Sequence, residues 1–144
     1  MVNIKNTLCF IIPFLITISI SASGKMVSHI DINGTGLYDD LRKDSNQERL
    51  CKGFRPTKKQ LTHFFNLAKE SNSHGTLLHE YYSPCLATGL VQFQDGASGK
   101  WTVQSSGLAF VSYDNGESAT FFYKDNKWKD PYACSYGMSD EGDC

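Results

Sequence analysis

The clearest hydrophobic pattern in the chain has the spacing of a helix and covers residues 56–70. Its apolar positions would form one stripe: Leu61, Phe64, Phe65 and Ala68. Residues three and four apart lie on the same face of a helix, so this stripe would face a core. Thr57, with Gln60 three residues later, has the pattern of a capping box. The pattern therefore predicts a helix that begins near Thr57 and is ended by the polar run 71–75.

Beyond residue 77 the pattern changes to the alternation of half-buried strands. Four segments show it: 86–94, 100–105, 108–113 and 118–124. The connections between them are short and contain glycine, and the third holds Asn115-Gly116, a strong hairpin signal. Consecutive short connections predict an antiparallel meander. With the helix covering its apolar face, the expected fold class is α+β: an N-terminal helix packed on a four-stranded antiparallel sheet, in a single domain over residues 51–144.

The segment before this domain, residues 25–50, is polar and carries charges of both signs. Its periodicity is weak, although Asp39 to Leu50 is compatible with a short helical turn. We therefore expect a loosely structured N-terminal arm.

Residues 1–24 have the layout of a secretory signal peptide. A basic residue, Lys5, precedes an apolar run from Leu8 to Ile20, and small residues follow from Ser21 to Gly24. The run is shorter than the about 20 residues that span a bilayer, so an uncleaved anchor is the less favoured alternative. The pattern predicts a periplasmic or secreted protein with no stable membrane insertion after cleavage.

Five cysteines are a high count for a chain of 144 residues. Cys9 belongs to the predicted signal, and four would remain in the mature protein: Cys51, Cys85, Cys134 and Cys144. An even number in an exported chain predicts two disulfides, for which three pairings are possible. Cys85 precedes the first predicted strand and Cys134 follows the last, so we favour Cys85–Cys134, which leaves Cys51–Cys144. The sequence has neither a redox Cys-x-x-Cys pair nor the spacing of a zinc site.

The formal net charge is −1, which argues against nucleic-acid binding because contact with phosphates needs a basic excess. The charge is unevenly divided along the chain. Residues 25–75 carry nine basic and six acidic residues, a net +3, and residues 76–144 carry four basic and nine acidic residues, a net −5. An acidic half would steer the protein toward a cationic partner protein. A solvated acidic tail is the alternative.

Two patterns bear on metal binding and catalysis. Residues 31–36 match the first half of a calcium loop, but Arg42 stands where that loop requires a bidentate Glu. His79 and Glu80 are a possible general acid–base pair, but no serine lies in a nucleophile-elbow pattern. We therefore predict no metal site, no cofactor and no catalytic residue, and keep a small exported hydrolase that uses His79 and Glu80 as an alternative.

Aromatic residues concentrate in the strand region, where residues 76–144 hold twelve of the eighteen. The consecutive Phe121, Phe122 and Tyr123 must point to both faces of a sheet. Either both faces are covered or one carries an exposed aromatic patch, and exposed aromatics beside acids suit a protein-binding surface. We take the acids and aromatics near the sheet ends as candidate partner-binding residues: Asp95, Trp101, Tyr113, Asp114, Glu117 and Trp128.

Two parts of the chain resemble known families. The segment from Ser83-Pro84-Cys85 to Cys134, in which cysteines bracket a meander rich in Trp and Gly, resembles small periplasmic immunity proteins of interbacterial toxin systems, including those that guard against type VI secretion effectors. The run Ser106-Gly107-Leu108-Ala109-Phe110 is similar to the Ser-Gly-x-x-aromatic loop of periplasmic C-type lysozyme inhibitors, which are β-barrels without this helix. That resemblance implies an inhibitory loop at Ser106 and Gly107, with Tyr113 as a further position of the same loop.

Both resemblances imply an exported protein that binds and blocks another protein without turnover. We therefore expect a cognate toxin or cell-wall hydrolase as the partner, neutralised by occlusion. A structural envelope protein without a specific target is a further alternative.

Overall fold

The computed structural model describes residues 25–39, 44–71 and 74–136, so the predicted signal peptide and Cys144 lie outside the described residues. Within these ranges the chain forms six strands and three helices. In chain order they are β1 (Val27–Tyr38), α1 (Ser45–Cys51), α2 (Lys58–Leu67), β2 (Lys69–Ser71), α3 (His74–Glu80), β3 (Cys85–Phe93), β4 (Ser98–Gln104), β5 (Leu108–Tyr113) and β6 (Ser118–Phe122). None of the helices in this part of the chain is long and apolar enough to cross a bilayer.

All six strands belong to one antiparallel sheet with the order β1-β3-β4-β5-β6-β2. Its four inner strands are the predicted meander, because each of β3 to β6 pairs with the next along the chain. The α+β class is confirmed, but the sheet is larger than predicted, since β1 and β2 extend it at the two edges. The helix that covers it is not N-terminal either, because β1 and α1 precede it.

The prediction of a loosely structured arm at residues 25–50 is wrong for most of that segment. Twelve of its residues form β1, which pairs with β3 over its whole length. The pairing register shifts three times, between Val27 and His29 and twice within residues 32–37. Each bulge breaks the two-residue alternation that identifies a strand in a sequence. Ile30, which is 5% exposed, is the one β1 residue that reaches the buried core.

The predicted helix is confirmed as α2, and its capping box is present. The Thr57 backbone N–H donates to Gln60 Oε1 at 2.9 Å, and the Gln60 N–H donates to Thr57 Oγ1 at 3.3 Å. The predicted apolar stripe is buried as expected: Leu61, Phe64, Phe65 and Ala68. The helix ends earlier than predicted because residues 69–71 leave it to pair with β6 as β2.

Phe65 is the centre of the contact between α2 and the sheet. Its ring lies 5.8 to 6.3 Å, centroid to centroid, from rings on three strands: Phe93, Trp101 and Phe121. The Trp101 ring lies against β3 at Gly89, where a Cβ atom would overlap the ring and the Asp31 carbonyl oxygen. This position therefore requires glycine, because only glycine leaves room for the indole.

The face of the sheet that points away from α2 is also covered by side chains at β6. Phe121 points to α2, and the neighbouring Phe122 points away from it and packs on Tyr81, with the ring centroids 4.5 Å apart. The Tyr136 ring also contacts Tyr81, with the centroids 6.2 Å apart. The consecutive aromatics of β6 thus contact side chains on both faces of the sheet. This agrees with the interpretation that both faces are covered at this position.

A disulfide joins Cys51, the last residue of α1, to Cys85, the first residue of β3, and both are fully buried. The predicted pairings Cys85–Cys134 and Cys51–Cys144 are therefore wrong. They treated β3 as the edge of the sheet, whereas β1 pairs with β3 and places Tyr38 opposite Cys85. The chain leaving β1 thus forms α1 beside the start of β3. Cys134 is also disulfide-bonded, but not to Cys85.

Candidate functional sites at the two ends of the sheet

The eight predicted partner-binding residues fall into three separate environments. Four of them lie at one end of the sheet, around the β3–β4 and β5–β6 turns: Asp95, Tyr113, Asp114 and Glu117. Three lie toward the other end, near the β4–β5 turn: Ser106, Gly107 and Trp128. The eighth, Trp101, is 1% exposed and belongs to the core. The structure therefore presents two candidate sites, not one continuous surface.

The first site is an open cleft of about 410 Å³, called the acidic cleft here. It is lined by Lys25, Gly96, Ala97, Ser98, Tyr113, Asp114, Asn115 and Glu117. Asp95 stands beside it on the β3–β4 turn and bonds to Lys25. In an antiparallel meander, alternate turns meet at the same end of the sheet, which brings these two hairpin turns together.

Local hydrogen bonds fix the two turns of the acidic cleft. The Asp95 carboxylate accepts from the Ala97 N–H at 3.0 Å, and Asn115 Oδ1 accepts from the Glu117 N–H at 3.0 Å. Ser98 Oγ donates to Asp114 Oδ2 at 2.5 Å and ties one turn to the other. The acidic side chains are therefore held on short, hydrogen-bonded loops and point into solvent.

Among the described residues that line this cleft, Lys25 is the single cation. Its Nζ lies 3.3 Å from Asp95 Oδ2, and it stands 4.7 Å from the centre of the Tyr113 ring and 5.6 Å from that of Phe93. Burial lowers the pKa of Lys25, but Tyr113 and Asp95 together raise it above its ordinary value. The pKa of Asp95 is lowered, first by the hydrogen bond from Ala97 and then by Lys25. The Lys25–Asp95 pair is therefore fully charged at neutral pH.

Tyr113 forms the floor of the acidic cleft and is half-buried. Burial raises the pKa of its hydroxyl, and the hydroxyl oxygen is enclosed without a hydrogen bond of acceptable geometry. The ring thus presents an aromatic face to the Lys25 ammonium.

The second site is a smaller cleft of about 230 Å³, called the serine cleft here. It is lined by Tyr81, Ser106, Lys124, Asn126, Trp128, Asp130, Ala133, Cys134 and Tyr136. A buried hydrogen-bond network supports its base. Ser105 Oγ donates to Asp130 Oδ1 at 2.6 Å and lies 2.7 Å from Ser83 Oγ, and Trp128 Nε1 donates to the Ser105 carbonyl oxygen at 2.8 Å.

Two hydroxyl groups in the serine cleft are buried without a hydrogen bond. Ser106 is 4% exposed, and its Oγ has no partner. The Tyr136 hydroxyl lies beside Ser83, Ser105 and Asp130 but makes no bond of acceptable geometry with them. Burial raises the pKa of Tyr136 well above its ordinary value, so this hydroxyl is a neutral donor at any physiological pH. Buried polar groups without a partner are rare in folded proteins and cost about 1–3 kcal/mol each.

Several predicted features of these sites are corrected by the structure. Trp101 and Trp128 were expected at the surface, but they are 1% and 8% exposed because their indoles fill the core between the sheet, α2 and the segment after β6. Ser106 and Gly107 do not form a protruding inhibitory loop. Both are buried, and a side chain on Gly107 would overlap the Tyr123 carbonyl oxygen.

The patterns considered for catalysis and metal binding lie elsewhere. His79 and Glu80 are at the end of α3 and line neither cleft. Asp31 is in the bulged strand β1, and its carboxylate bonds to Lys58 at 2.7 Å and to His29 at 3.0 Å. Among the residues that the structure describes, no three His, Cys, Asp or Glu side chains converge as a metal site would require.

Sequence reasoning missed Lys25 and the serine cleft. Lys25 directly follows the predicted signal peptide. No local pattern connects it to Asp95 and Tyr113, which lie 70 and 88 residues farther along the chain. Ser83, Ser105 and Asp130 are separated by 22 and 25 residues, so only the folded sheet brings them together.

Comparison with protein-family models, with curated proteins and with solved structures found no match to this chain. The arguments below therefore rest on the geometry of the two clefts.

Proposed function

We propose that this protein is an exported binding protein that neutralises a cationic partner, a toxin or a cell-wall hydrolase, by covering its functional surface with the acidic cleft. The observation that carries the proposal is the position of three exposed carboxylates, Asp95, Asp114 and Glu117, around the half-buried ring of Tyr113. Aromatic side chains with a polar tip, ringed by charges, are typical of the centre of protein interfaces.

The charge balance of the cleft supports a cationic partner. Lys25 offsets one of the three carboxylates, which leaves a net charge of −2 for this group of four side chains. Exposed charges of one sign raise the rate at which an oppositely charged protein associates, and they discriminate against partners of the wrong charge. Because the turns are hydrogen-bonded, little side-chain and loop freedom would be lost on binding.

Export is supported by the layout of residues 1–24 and by the buried Cys51–Cys85 disulfide, since such bonds persist in oxidising compartments. A site built from carboxylates on turns and one tyrosine suits a protein that blocks its partner without catalysing a reaction. The alternative, a hydrolase that uses His79 and Glu80, gains no support from the two clefts described, because neither side chain lines either of them.

The test is protection against candidate toxins and cell-wall hydrolases, in particular those encoded beside this gene. The full chain, exported by its own signal, is expected to protect cells that export the cognate enzyme and to bind it directly. D95N/D114N/E117Q should weaken binding at least tenfold at low salt, mainly through slower association. The matched control E48Q/E80Q/D125N removes the same charge elsewhere and should bind like the wild type. Equal loss in both variants would refute the acidic cleft as the contact, and absence of protection against every candidate would refute the function.

A further inference from the structure

The serine cleft has the features of a small-molecule site and is independent of the acidic cleft. It lies toward the opposite end of the sheet and is built by the β4–β5 turn, by Tyr81 after α3, and by residues 124–136 after β6. Its volume of about 230 Å³ is below the roughly 300–1,000 Å³ of sites for drug-sized ligands. A ligand there would be one small ring.

An unpartnered hydroxyl group in the wall of the cleft indicates a polar ligand. Ser106 lines the cleft and is 96% buried, and its Oγ has no hydrogen bond. Tyr136 also lines the cleft, but its hydroxyl is turned to the side chains of Ser83, Ser105 and Asp130. A polar ligand would give the Ser106 hydroxyl a partner, whereas an apolar ligand would leave it unpaired.

Asp130 adds a carboxylate whose position is fixed by the network beneath it. Its Oδ1 accepts from Ser105 Oγ at 2.6 Å and from the Tyr132 N–H at 2.9 Å. A carboxylate held in this way is pre-organised to accept from a ligand hydroxyl. Lys124 also lines the cleft, so the lining carries one charge of each sign and favours neither an anion nor a cation.

Aromatic rings form the apolar part of the wall. The rings of Tyr81 and Tyr136 lie 6.2 Å apart, inclined by 43°, and the Tyr81 ring also packs on Phe122. An aromatic wall beside hydroxyl, amide and carboxylate groups complements a ring that has an apolar C–H face and hydroxyls around its edge. We propose that the serine cleft binds a neutral, hydroxyl-rich ring, the chemistry of a single sugar unit.

The experiment is an NMR titration of the full mature chain with glucose, galactose and N-acetylglucosamine, each used as the actual probe. At least one sugar is expected to bind in the millimolar range, where single small rings fall, and to shift the amide signals of residues that line the serine cleft. The signals of the acidic cleft should not move, which separates this outcome from that of the proposed function.

Two variants and one control decide whether the cleft residues make the site. Ser106→Ala should weaken sugar binding about tenfold, and Ser112→Ala, a change of an exposed serine on β5, should leave it unchanged. If Ser106→Ala does not fold, Tyr81→Leu keeps an apolar contact with Phe122, removes the ring, and should cause a similar loss. No shift in the cleft with any of the three sugars, or equal binding by wild type and both variants, would overturn the proposal.

Discussion

The side-chain ammonium of Lys25 lies 4.7 Å from the centre of the Tyr113 ring. This contact joins the start of the described chain to the end of β5, 88 residues farther along the sequence. It also places the residue that follows the predicted signal peptide inside the acidic cleft.

Removing this cation should destabilise the protein slightly and make the cleft more acidic. Lys25→Met loses the cation–π contact and the ion pair with Asp95, and we expect unfolding by urea to show a loss of about 0.5–1 kcal/mol. Lys25→Arg retains both interactions, and its urea unfolding midpoint should stay near that of the wild type. If the methionine variant is as stable as the wild type, the contact does not form in solution.

The buried disulfide should make a large contribution to stability. Cys51 and Cys85 are 34 residues apart, and closing a loop of that size in the unfolded chain is worth about 3–4 kcal/mol. The double variant C51S/C85S should show this loss in urea unfolding. Peptide mapping without reduction provides the independent check, because a peptide that links Cys85 to Cys134 would contradict the structure.

Two Gly→Ala changes should have opposite effects on the stability of the fold. At Gly89 the new methyl group would overlap the Trp101 ring and the Asp31 carbonyl oxygen, so we expect a loss above about 2 kcal/mol from overpacking. Gly75 lies in α3 with open space around it, and alanine there should stabilise by up to about 1 kcal/mol through helix propensity. Thermal unfolding of the two variants gives the comparison. Similar melting temperatures would show that β3 can move away from the indole.

Acidification should weaken the contact between β1 and α2. Lys58 and, to a smaller extent, His29 hold the pKa of the Asp31 carboxyl below its ordinary value of about 3.9. The contact therefore stabilises the fold above the unfolded pKa, and its contribution disappears as the pH falls through the lower, folded pKa. In an NMR titration of the carboxyl, Lys58→Met should raise the Asp31 midpoint, and Lys59→Met, on an exposed neighbour, should not. An unchanged midpoint in Lys58→Met would rule out the ion pair.

The parts of the fold with strong local signals could be predicted from the sequence. The helix stripe around Phe64 and Phe65, the capping box and the glycine-containing turns each depend on neighbouring residues, and all were found. Strand β1 was missed because its bulges break the alternation, and β2 because three residues are too few for a pattern. The disulfide prediction failed as a consequence, since only β1 explains why Cys51 lies beside Cys85.

The candidate sites were predictable to the same limited extent. Asp95, Asp114 and Glu117 come together because alternate hairpin turns of a meander meet, which the turn signals already indicated. Trp101 was misplaced because residue type says little about which face of a strand is buried, and Trp128 because the segment after β6 folds back onto Phe64 of α2. The serine cleft could not be found, because its hydroxyls and carboxylate meet only through contacts between distant parts of the chain.

The bulges of β1 have a consequence for how the protein behaves beside copies of itself. An exposed sheet edge is a template onto which another chain can add a strand when its hydrogen-bonding groups form a long, regular row. At one edge of this sheet the row is interrupted by three register shifts, and at the other it is only three residues long. Both described edges are therefore poor templates for strand addition, and we expect little edge-to-edge aggregation at high concentration.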